Sequence, residues 1–419
     1  MYTSQQKFRF SISSLTLVML FCLNTFVNGQ NSVKGLVLNM ENESPVSDAT
    51  VYINGTTKGT STDSNGLFEL KDVSYPCQLM VRQVGYELQV LNLDNPKKDK
   101  LTIFLKLKSI QLSEVKITGL DRRAINVELF NTFFLGTDEW GKKAKLMNDS
   151  VLVFNNDNDT LKLEKDSNRL KLGKKYQIET NDSSNRFKIY TVLSVSAKAP
   201  LIIDLPSLGY KLYVDLVSFY LLRNKVNSIS EYLGYYYLIP YDSVSKRMER
   251  QYKKNRLDAY YESRDHFCLM FYRNELRQNG YLLIEYNTEH STDSTDSTVS
   301  TDFYRRRFVD INELITYKDE DQVKIIGQKG KTLYIYDFYN YTNKPIDLTN
   351  SKKFDFSSVA GFWQDHYEFK KNPTSLHFLS DTCIIRSNGS IPDNNIMFGG
   401  RLSRKKAGAT IPTDYQPGN

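Results

Sequence analysis

The chain has 419 residues, of which 40% are hydrophobic and 25% charged, with a formal net charge of +7. This length predicts two or three domains, and the apolar content excludes wholesale disorder. Four cysteines are too few for a disulfide-dense scaffold, and the basic residues are too dispersed to indicate nucleic-acid binding. The 28 tyrosines and 23 phenylalanines favour β structure.

Residues 1–29 have the pattern of a signal peptide. Lys7 and Arg9 precede an apolar stretch that is too short to span a bilayer. Val27 and Gly29 provide modest side chains at positions −3 and −1, so we expect cleavage after Gly29. A buried N-terminal helix is the alternative. No later stretch has 18 consecutive apolar residues, so no transmembrane helix is expected.

Residues 30–108 show short alternating stretches separated by turn residues, which is typical of an all-β sandwich. Ala49, Val51 and Ile53 share one face by period two. Asp63 can bond its own backbone, and Gly66 can adopt the positive φ that the following turn needs. The expected strand segments are 33–38, 45–53, 59–70, 79–86 and 101–105.

The motifs of this region are G-x-V, P-V-x-x-A-x-V-x-I, G-T-x-T-D-x-x-G-x-F-x-L and V-G-Y, in that order. Their order resembles the carboxypeptidase regulatory-like domain, which implies a transthyretin-like seven-stranded β-sandwich. In carboxypeptidases that domain is an appendage to the zinc enzyme, so the resemblance implies no peptidase activity. It also occurs at the N-terminus of Gram-negative outer-membrane receptors and of shorter secreted chains.

We expect a linker over residues 109–126. Within it, residues 112–119 resemble the segment that follows this domain in TonB-dependent receptors. The remaining chain is too short for the plug and the large barrel of such a receptor. An accessory role beside one is therefore an alternative that the resemblance leaves open.

Residues 127–419 are expected to form a β-rich α+β region of unknown function. A helix is predicted over 121–134 from the spacing of Ile125, Leu129 and Phe133, and Leu212, Val214 and Leu216 are expected to share one strand face. A polar insertion near 155–188 is interpreted as an extended hairpin. The chain also resembles an extension that follows the regulatory-like domain in secreted envelope proteins, through the motifs Phe134-Leu135-Gly136, Leu208-Gly209-Tyr210 and Phe398-Gly399-Gly400.

Three further segments have competing interpretations. Residues 255–279 fit one amphipathic helix docked on a sheet, with a catalytic cluster at Asp265 and His266 as the alternative. The Ser/Thr/Asp-rich residues 291–302 are expected to be an exposed low-complexity loop, with a metal-sequestering or glycan-bearing loop as the alternative. A run of tyrosines is expected to be core plus rim, with a sugar-stacking platform as the alternative: Tyr232, Tyr235, Tyr236, Tyr237 and Tyr241.

A search for catalytic motifs predicts no catalytic, cofactor-binding or metal-binding residues. The four histidines lack the H-x-x-E and H-E-x-x-H spacings of zinc peptidases, and neither G-x-S-x-G nor a phosphate-binding loop occurs. Ser243/Lys246 and Ser403/Lys406 match S-x-x-K alone. A Cys–His pair of His377 with Cys268 or Cys383 lacks a local signature. The acids nearest apolar runs are Asp204, Asp215, Asp265 and Asp365.

These observations predict an exported, non-catalytic binding or scaffolding protein of the cell envelope, located in the periplasm or at the outer membrane. Its expected partner is an envelope protein or a glycan, and neither a nucleic acid nor a cofactor is expected. The sequence does not indicate an oligomeric state. The alternatives are an envelope hydrolase acting on peptide or glycan, and a pure surface spacer. The pairing of Cys77, Cys268 and Cys383 is left open.

Overall fold

A computed structural model describes residues 32–96, 99–108, 120–155, 169–172, 176–179, 191–223, 228–286, 306–326, 328–339, 344–350, 352–356, 359–366, 373–391 and 395–417. The expected signal peptide and the low-complexity residues 291–302 lie outside this part. The chain divides into two compact units. The first comprises Met1–Ile53 and Lys58–Ser109, and the second comprises Asn54–Thr57 and Ile110–Asn419.

The first unit is a β-sandwich of seven strands, which confirms the expected fold. One sheet has the strand order β4-β1-β7 and the other has the order β3-β2-β5-β6. Strands β1 and β7 run parallel, and the other pairings are antiparallel. The strands are β1 (Val33–Asn39), β2 (Thr50–Ile53), β3 (Gly59–Ser61), β4 (Leu67–Leu70), β5 (Cys77–Arg82), β6 (Gln89–Leu93) and β7 (Leu101–Leu105).

Alternation along the strands builds the core of the sandwich. Val37, Val51, Leu79 and Ile103 belong to one buried cluster that both sheets supply. The turn before β4 depends on Asp63, whose carboxylate accepts hydrogen bonds from the two backbone amides of Asn65 and Leu67 at 2.9 and 2.8 Å. These bonds hold the turn between β3 and β4, which belong to different sheets, in the manner of an Asx-type turn.

The second unit contains sixteen further described strands and five described α-helices. The helices are α1 (Leu120–Leu135), α2 (Lys246–Tyr261), α3 (Arg264–Arg273), α4 (Val359–His366) and α5 (Arg401–Arg404). The strands are β8 (Lys145–Leu146), β9 (Leu152–Asn155), β10 (Arg169–Leu172), β11 (Tyr176–Glu179), β12 (Thr191–Ala197), β13 (Leu201–Leu205), β14 (Tyr210–Arg223), β15 (Ser228–Pro240), β16 (Tyr281–Tyr286), β17 (Arg306–Val309), β18 (Ile315–Lys318), β19 (Gln322–Ile326), β20 (Thr332–Asp337), β21 (Thr374–Phe378), β22 (Thr382–Arg386) and β23 (Ile396–Gly400).

A six-stranded sheet carries the first core of this unit. Its order is β8-β13-β14-β12-β9, and β15 pairs with the free side of β14. Leu212, Val214 and Leu216 lie in the core, which confirms the expected alternation. Alternation places Val217 on the exposed face, and a register shift between Leu216 and Ser218 then returns Phe219 to the core.

Helix α1 confirms the helix expected over 121–134 and takes the last part of the expected linker. The predicted apolar face was wrong in part, because Ile125 is 56% exposed. The buried face carries Phe130 and Phe134, whose ring centroids lie 4.8 Å apart, and both rings contact Phe219 of β14. Contact with the sheet therefore buries a face of the helix next to the one that was predicted from the sequence.

The single helix expected over 255–279 was also wrong. Helix α2 ends at Tyr261, and α3 begins after Ser263, whose hydroxyl accepts a hydrogen bond from the amide of His266 at 2.9 Å. Ser263 therefore acts as an N-cap that starts a new helix, and Asn274 ends it in the left-handed conformation. The apolar pattern of residues 255–279 therefore runs across two helices, and the N-cap at Ser263 separates them.

A second layer of sheets completes the unit. Strands β17-β16-β20-β21-β23 form one sheet and β18-β19-β22 form another. Helix α3 supplies Phe267 and Phe271 to the core of this layer. The polar insertion contains an antiparallel pair of strands, β10 and β11, as the extended-hairpin interpretation expected. None of the helices in the described ranges is long and apolar enough to cross a membrane.

Candidate functional site

His266 lies at the start of α3, in the centre of a buried polar network. Its Nδ1 is 2.9 Å from the hydroxyl of Tyr281 on β16, and that hydroxyl donates to the backbone carbonyl of Tyr261 at 3.1 Å. With the hydroxyl proton donated to this carbonyl, Tyr281 accepts from the Nδ1–H of His266, whereas the other tautomer of the imidazole reverses that bond. The hydroxyl of Tyr339 donates to the same carbonyl at 2.7 Å.

The electrostatics of His266 favour a structural role. Burial is the larger effect and lowers the pKa of His266 from 6.5 to about 4. A hydrogen bond to the backbone at Tyr261 acts in the opposite direction and raises this pKa. The neighbouring Asp265 points elsewhere and forms an ion pair with Arg264 at 3.3 Å. Consecutive helical residues lie about 100° apart around the axis, so the two side chains diverge, which disfavours the Asp265–His266 cluster that was the alternative interpretation.

The cysteines and His377 do not combine into a nucleophilic pair. The two ring nitrogens of His377 contact the hydroxyls of Thr332 and Ser375 at 2.8 and 3.0 Å. Burial raises the pKa of Cys268 to about 12. The thiol of Cys383 donates to the carbonyl of Asn395 at 3.3 Å. A thiolate is the reactive form of cysteine, so these environments suit packing.

The remaining candidate acids lie apart from one another. The hydroxyl of Tyr241 donates to Asp204, and Asp365 is exposed on α4. Asp215 lies on β14, cross-strand from Tyr235. No group of three His, Cys, Asp or Glu side chains able to hold a metal ion occurs within the described ranges.

The tyrosine run divides between core and rim. Tyr237 is buried and stacks on Tyr213 with ring centroids 4.9 Å apart. Tyr232 packs edge-on against Phe134, with ring centroids 4.9 Å apart. Tyr241 packs edge-on against Tyr252 of α2. Rings that are used in packing in this way do not form one flat platform.

Buried charges are compensated by charges from distant parts of the second unit. Asp337 at the end of β20 is fully buried and forms an ion pair with Arg401 of α5. Lys405 lies between Asp138 and Glu262, at 3.5 and 2.9 Å from their carboxylate oxygens. Such pairs hold the elements in one arrangement, since loss of one partner would leave an uncompensated buried charge.

A cavity of about 230 Å³ lies beside β16 and β17 and is a candidate binding site. Apolar and polar side chains both line it, a mixture that is common in ligand pockets. The apolar ones include Leu283, Phe308, Val309 and Ile311, and the polar ones include Asn274, Arg277, Gln278, Asn312 and Thr349.

Two residues in the left-handed conformation end the elements beside this cavity. Asn274 ends α3, and Gly280 ends the short 3-10 turn Arg277–Asn279 that leads into β16. Arg277 lies on this turn, with its guanidinium 4.7 Å from the ring centroid of Phe356. Within the described ranges, that guanidinium makes no hydrogen bond or ion pair, so its donors remain available. None of the candidate catalytic residues singled out from the sequence lines this cavity, although Asn279-Gly280 beside it is a recognisable turn signal.

A second, more open groove of about 540 Å³ follows one side of α1. Arg123 lines it and donates to the backbone carbonyls of Asp149 and Leu152 at 2.9 and 3.2 Å. The charge of this arginine is therefore used to attach the helix to the following segment.

Comparison with known proteins supports the fold of the first unit. Residues 33–117 match the family model described as CarboxypepD_reg-like domain, so the chain carries this domain. No curated protein matches the chain.

Similarity to solved structures is weak. A chain of a type II cohesin–X–dockerin complex from Acetivibrio cellulolyticus, an N-terminal interface mutant, is 23% identical over 23% of this chain and 72% of its own, with a TM-score of 0.17. A 9R-lipoxygenase from Cyanothece PCC8801 is 9% identical over 66% of this chain and 51% of its own, with a TM-score of 0.15. This chain thus spans about half of the lipoxygenase. Scores this low carry no argument about function.

Proposed function

We propose that the protein is an exported, non-catalytic binding or scaffolding protein of the bacterial cell envelope, located in the periplasm or at the outer membrane. The CarboxypepD_reg-like domain at residues 33–117 supports this, because it is a non-catalytic module typical of extracellular or periplasmic proteins. The partner is an envelope protein or a glycan.

The cavity beside β16 and β17 is the observation that carries the binding function. Its lining combines apolar side chains with hydrogen-bonding ones, among them the guanidinium of Arg277. A volume of about 230 Å³ accommodates one sugar ring or one amino-acid side chain rather than an extended polymer. The groups best suited to catalysis, such as His266 and Cys268, are held in buried packing instead.

A thermal-shift screen tests the binding function. We expect a monosaccharide or a short peptide to raise the unfolding temperature of the second unit, since a ligand that binds only the native state stabilises it. Thr349→Phe should fill the mouth of the cavity and abolish that shift. Thr316→Phe, at an exposed threonine of β18 that does not line the cavity, is the matched control and should retain it. A panel of sugars and peptides that gives no shift, or a shift that survives in Thr349→Phe, contradicts the proposal.

The hydrolase alternative is tested on the same purified protein. We expect peptide and glycan libraries to be recovered intact after incubation, as measured by mass spectrometry. Sustained turnover that disappears in Asp265→Asn would replace the binding role with an enzymatic one.

Export is tested independently of binding. The full chain, expressed in a Gram-negative host, should be recovered outside the cytoplasm with Gln30 as its first residue, as determined by N-terminal sequencing. Accumulation of the unprocessed chain in the cytosol would contradict the export proposal and leave the cavity argument intact.

A further inference from the structure

Helix α2 presents an uncompensated basic surface that the cavity and the buried network do not use. Its sequence, KRMERQYKKNRLDAYY, places five cations in the first nine positions. All five side chains are exposed. We call this set the basic face: Lys246, Arg247, Arg250, Lys253 and Lys254.

The basic face points directly away from the body of the second unit. Tyr252 and Ala259 are the buried residues of α2 and mark its inward direction. At about 100° per residue, the five cations fall within an arc of about 120° that is centred opposite this direction. With a rise of 1.5 Å per residue, they occupy about 12 Å of helix length. The cations therefore form a compact ridge rather than a scattered population.

The surrounding charges do not neutralise this ridge. No member of the basic face makes an ion pair or a hydrogen bond through its side chain with another residue in the described part of the chain. The acid of the first turn, Glu249, is 3.9 Å from Arg256, whose guanidinium lies 4.2 Å from the ring centroid of Tyr210. Glu249 is thus directed to the inner side of the helix.

The position of these cations on the helix opposes local stability. The N-terminus of a helix carries a partial positive charge, which favours Asp or Glu in the first turn. Here Lys246 and Arg247 are the first two residues after the N-cap Ser245. Because helix stability does not explain them, an external anionic partner is the better explanation.

We propose that the basic face is a docking surface for an anionic lipid bilayer. Clusters of four to eight Lys or Arg residues on an amphipathic helix have the composition that binds anionic headgroups. Polyanionic chains are usually held in positively charged grooves, whereas these cations stand on a convex ridge that suits a planar surface. The arc contains no large apolar side chain within its first nine residues, so the contact is electrostatic and does not insert the helix.

Vesicle flotation tests this proposal. The full chain is mixed with vesicles of phosphatidylcholine alone or with about 30% phosphatidylglycerol, at low salt and at about 0.5 M salt, where the Debye length falls to about 4 Å. We expect flotation with the anionic vesicles at low salt only. Flotation that is equal on both vesicle types, or unaffected by salt, overturns the proposal.

Charge-matched variants assign the binding to the ridge. Lys246→Gln/Arg250→Gln/Lys254→Gln should weaken vesicle binding about a hundredfold, because each cation contributes about fivefold near an anionic surface. The control Lys71→Gln/Lys100→Gln/Lys108→Gln removes the same charge from exposed positions of the first unit and should bind nearly as wild type.

Circular dichroism should be unchanged in both triple variants, since glutamine is a good helix former, and the unfolding midpoint should fall in neither, because loss of Lys246 removes a cation from the first turn of α2. Equal losses in the two triple variants overturn the proposal, because they would reflect net charge alone. Retention on a soluble polyanion such as dextran sulfate without flotation on vesicles also overturns it, in favour of a polymer partner. None of these outcomes depends on the cavity beside β16 and β17.

Discussion

Replacing the imidazole of His266 should remove a large part of the pH dependence of folding. His266 is 2% exposed and bonded to Tyr281 on a different element. We consider His266→Gln, which deletes the titrating group, beside Tyr281→Phe, which deletes the hydrogen-bond partner and keeps the imidazole.

The magnitude follows from the shift in pKa. Burial lowers the pKa of His266 from 6.5 in the unfolded chain to about 4 in the folded one. At 1.36 kcal/mol per pKa unit this difference corresponds to about 3 kcal/mol. Above pH 6.5 the imidazole is neutral in both states, so this contribution to stability is fully present. As the pH falls from 6.5 to 4, the unfolded chain takes up the proton first, and the contribution is lost.

Urea unfolding followed by tryptophan fluorescence measures this effect, because both tryptophans, Trp140 and Trp363, lie in the second unit. At pH 7.5 His266→Gln should be less stable than wild type by about 1–3 kcal/mol, through the lost hydrogen bond and packing. The two proteins should converge as the pH approaches 4.5, whereas Tyr281→Phe should keep the wild-type slope. A difference between wild type and His266→Gln that stays constant from pH 7.5 to 4.5 would refute the reasoning.

Three further predictions concern other sites. Because burial raises the pKa of Cys77 to about 11 and that of Cys268 to about 12, iodoacetamide at pH 7.5 should label Cys77 slowly and Cys268 only in denaturant, as measured by peptide mass spectrometry. Gly280→Ala should destabilise the second unit by about 1–3 kcal/mol in urea unfolding, since its φ is +76° and a Cβ would lie 2.5 Å from a backbone oxygen. Gly330→Ala has a similar φ with open space around it and should cost only about 1 kcal/mol; equal losses would contradict the steric argument. Asp63→Ala removes the acceptor of two turn amides and should destabilise the sandwich by about 1–2 kcal/mol, visible as faster amide exchange in that turn, whereas unchanged exchange would contradict it.

The sandwich was the part of the fold that sequence reasoning reached most fully. Alternation along strands such as β2 and the turn at Asp63 depend on residues only a few positions apart. The resemblance of the same residues to the regulatory-like domain then specified seven strands, as the structure has them. Local signals sufficed for the strands and turns of the sandwich, whereas pairings such as β1 with β4 and β1 with β7 join segments far apart in the chain.

The helical segments show where local patterns stop being sufficient. The helix at 121–134 was predicted correctly, but its buried stripe was chosen by contact with Phe219, a residue of a distant strand. The pattern over 255–279 continued across two helices, because both bury apolar residues on sheets of the same unit. Only the cap at Ser263 separates them, and a serine in an apolar pattern is a weak signal by itself.

The order of residues along the chain determined the strands, the turns and the helical segments, because these depend on dihedral preferences and side-chain periods within about ten residues. Tertiary structure alone decided which polar groups meet, such as His266 with Tyr281 and Lys405 with Glu262. It also decided that Arg277 would border a cavity and that the arc of cations on α2 would face outward. These outcomes depend on how separate elements pack. Local sequence patterns do not show which residues from distant parts of the chain come into contact.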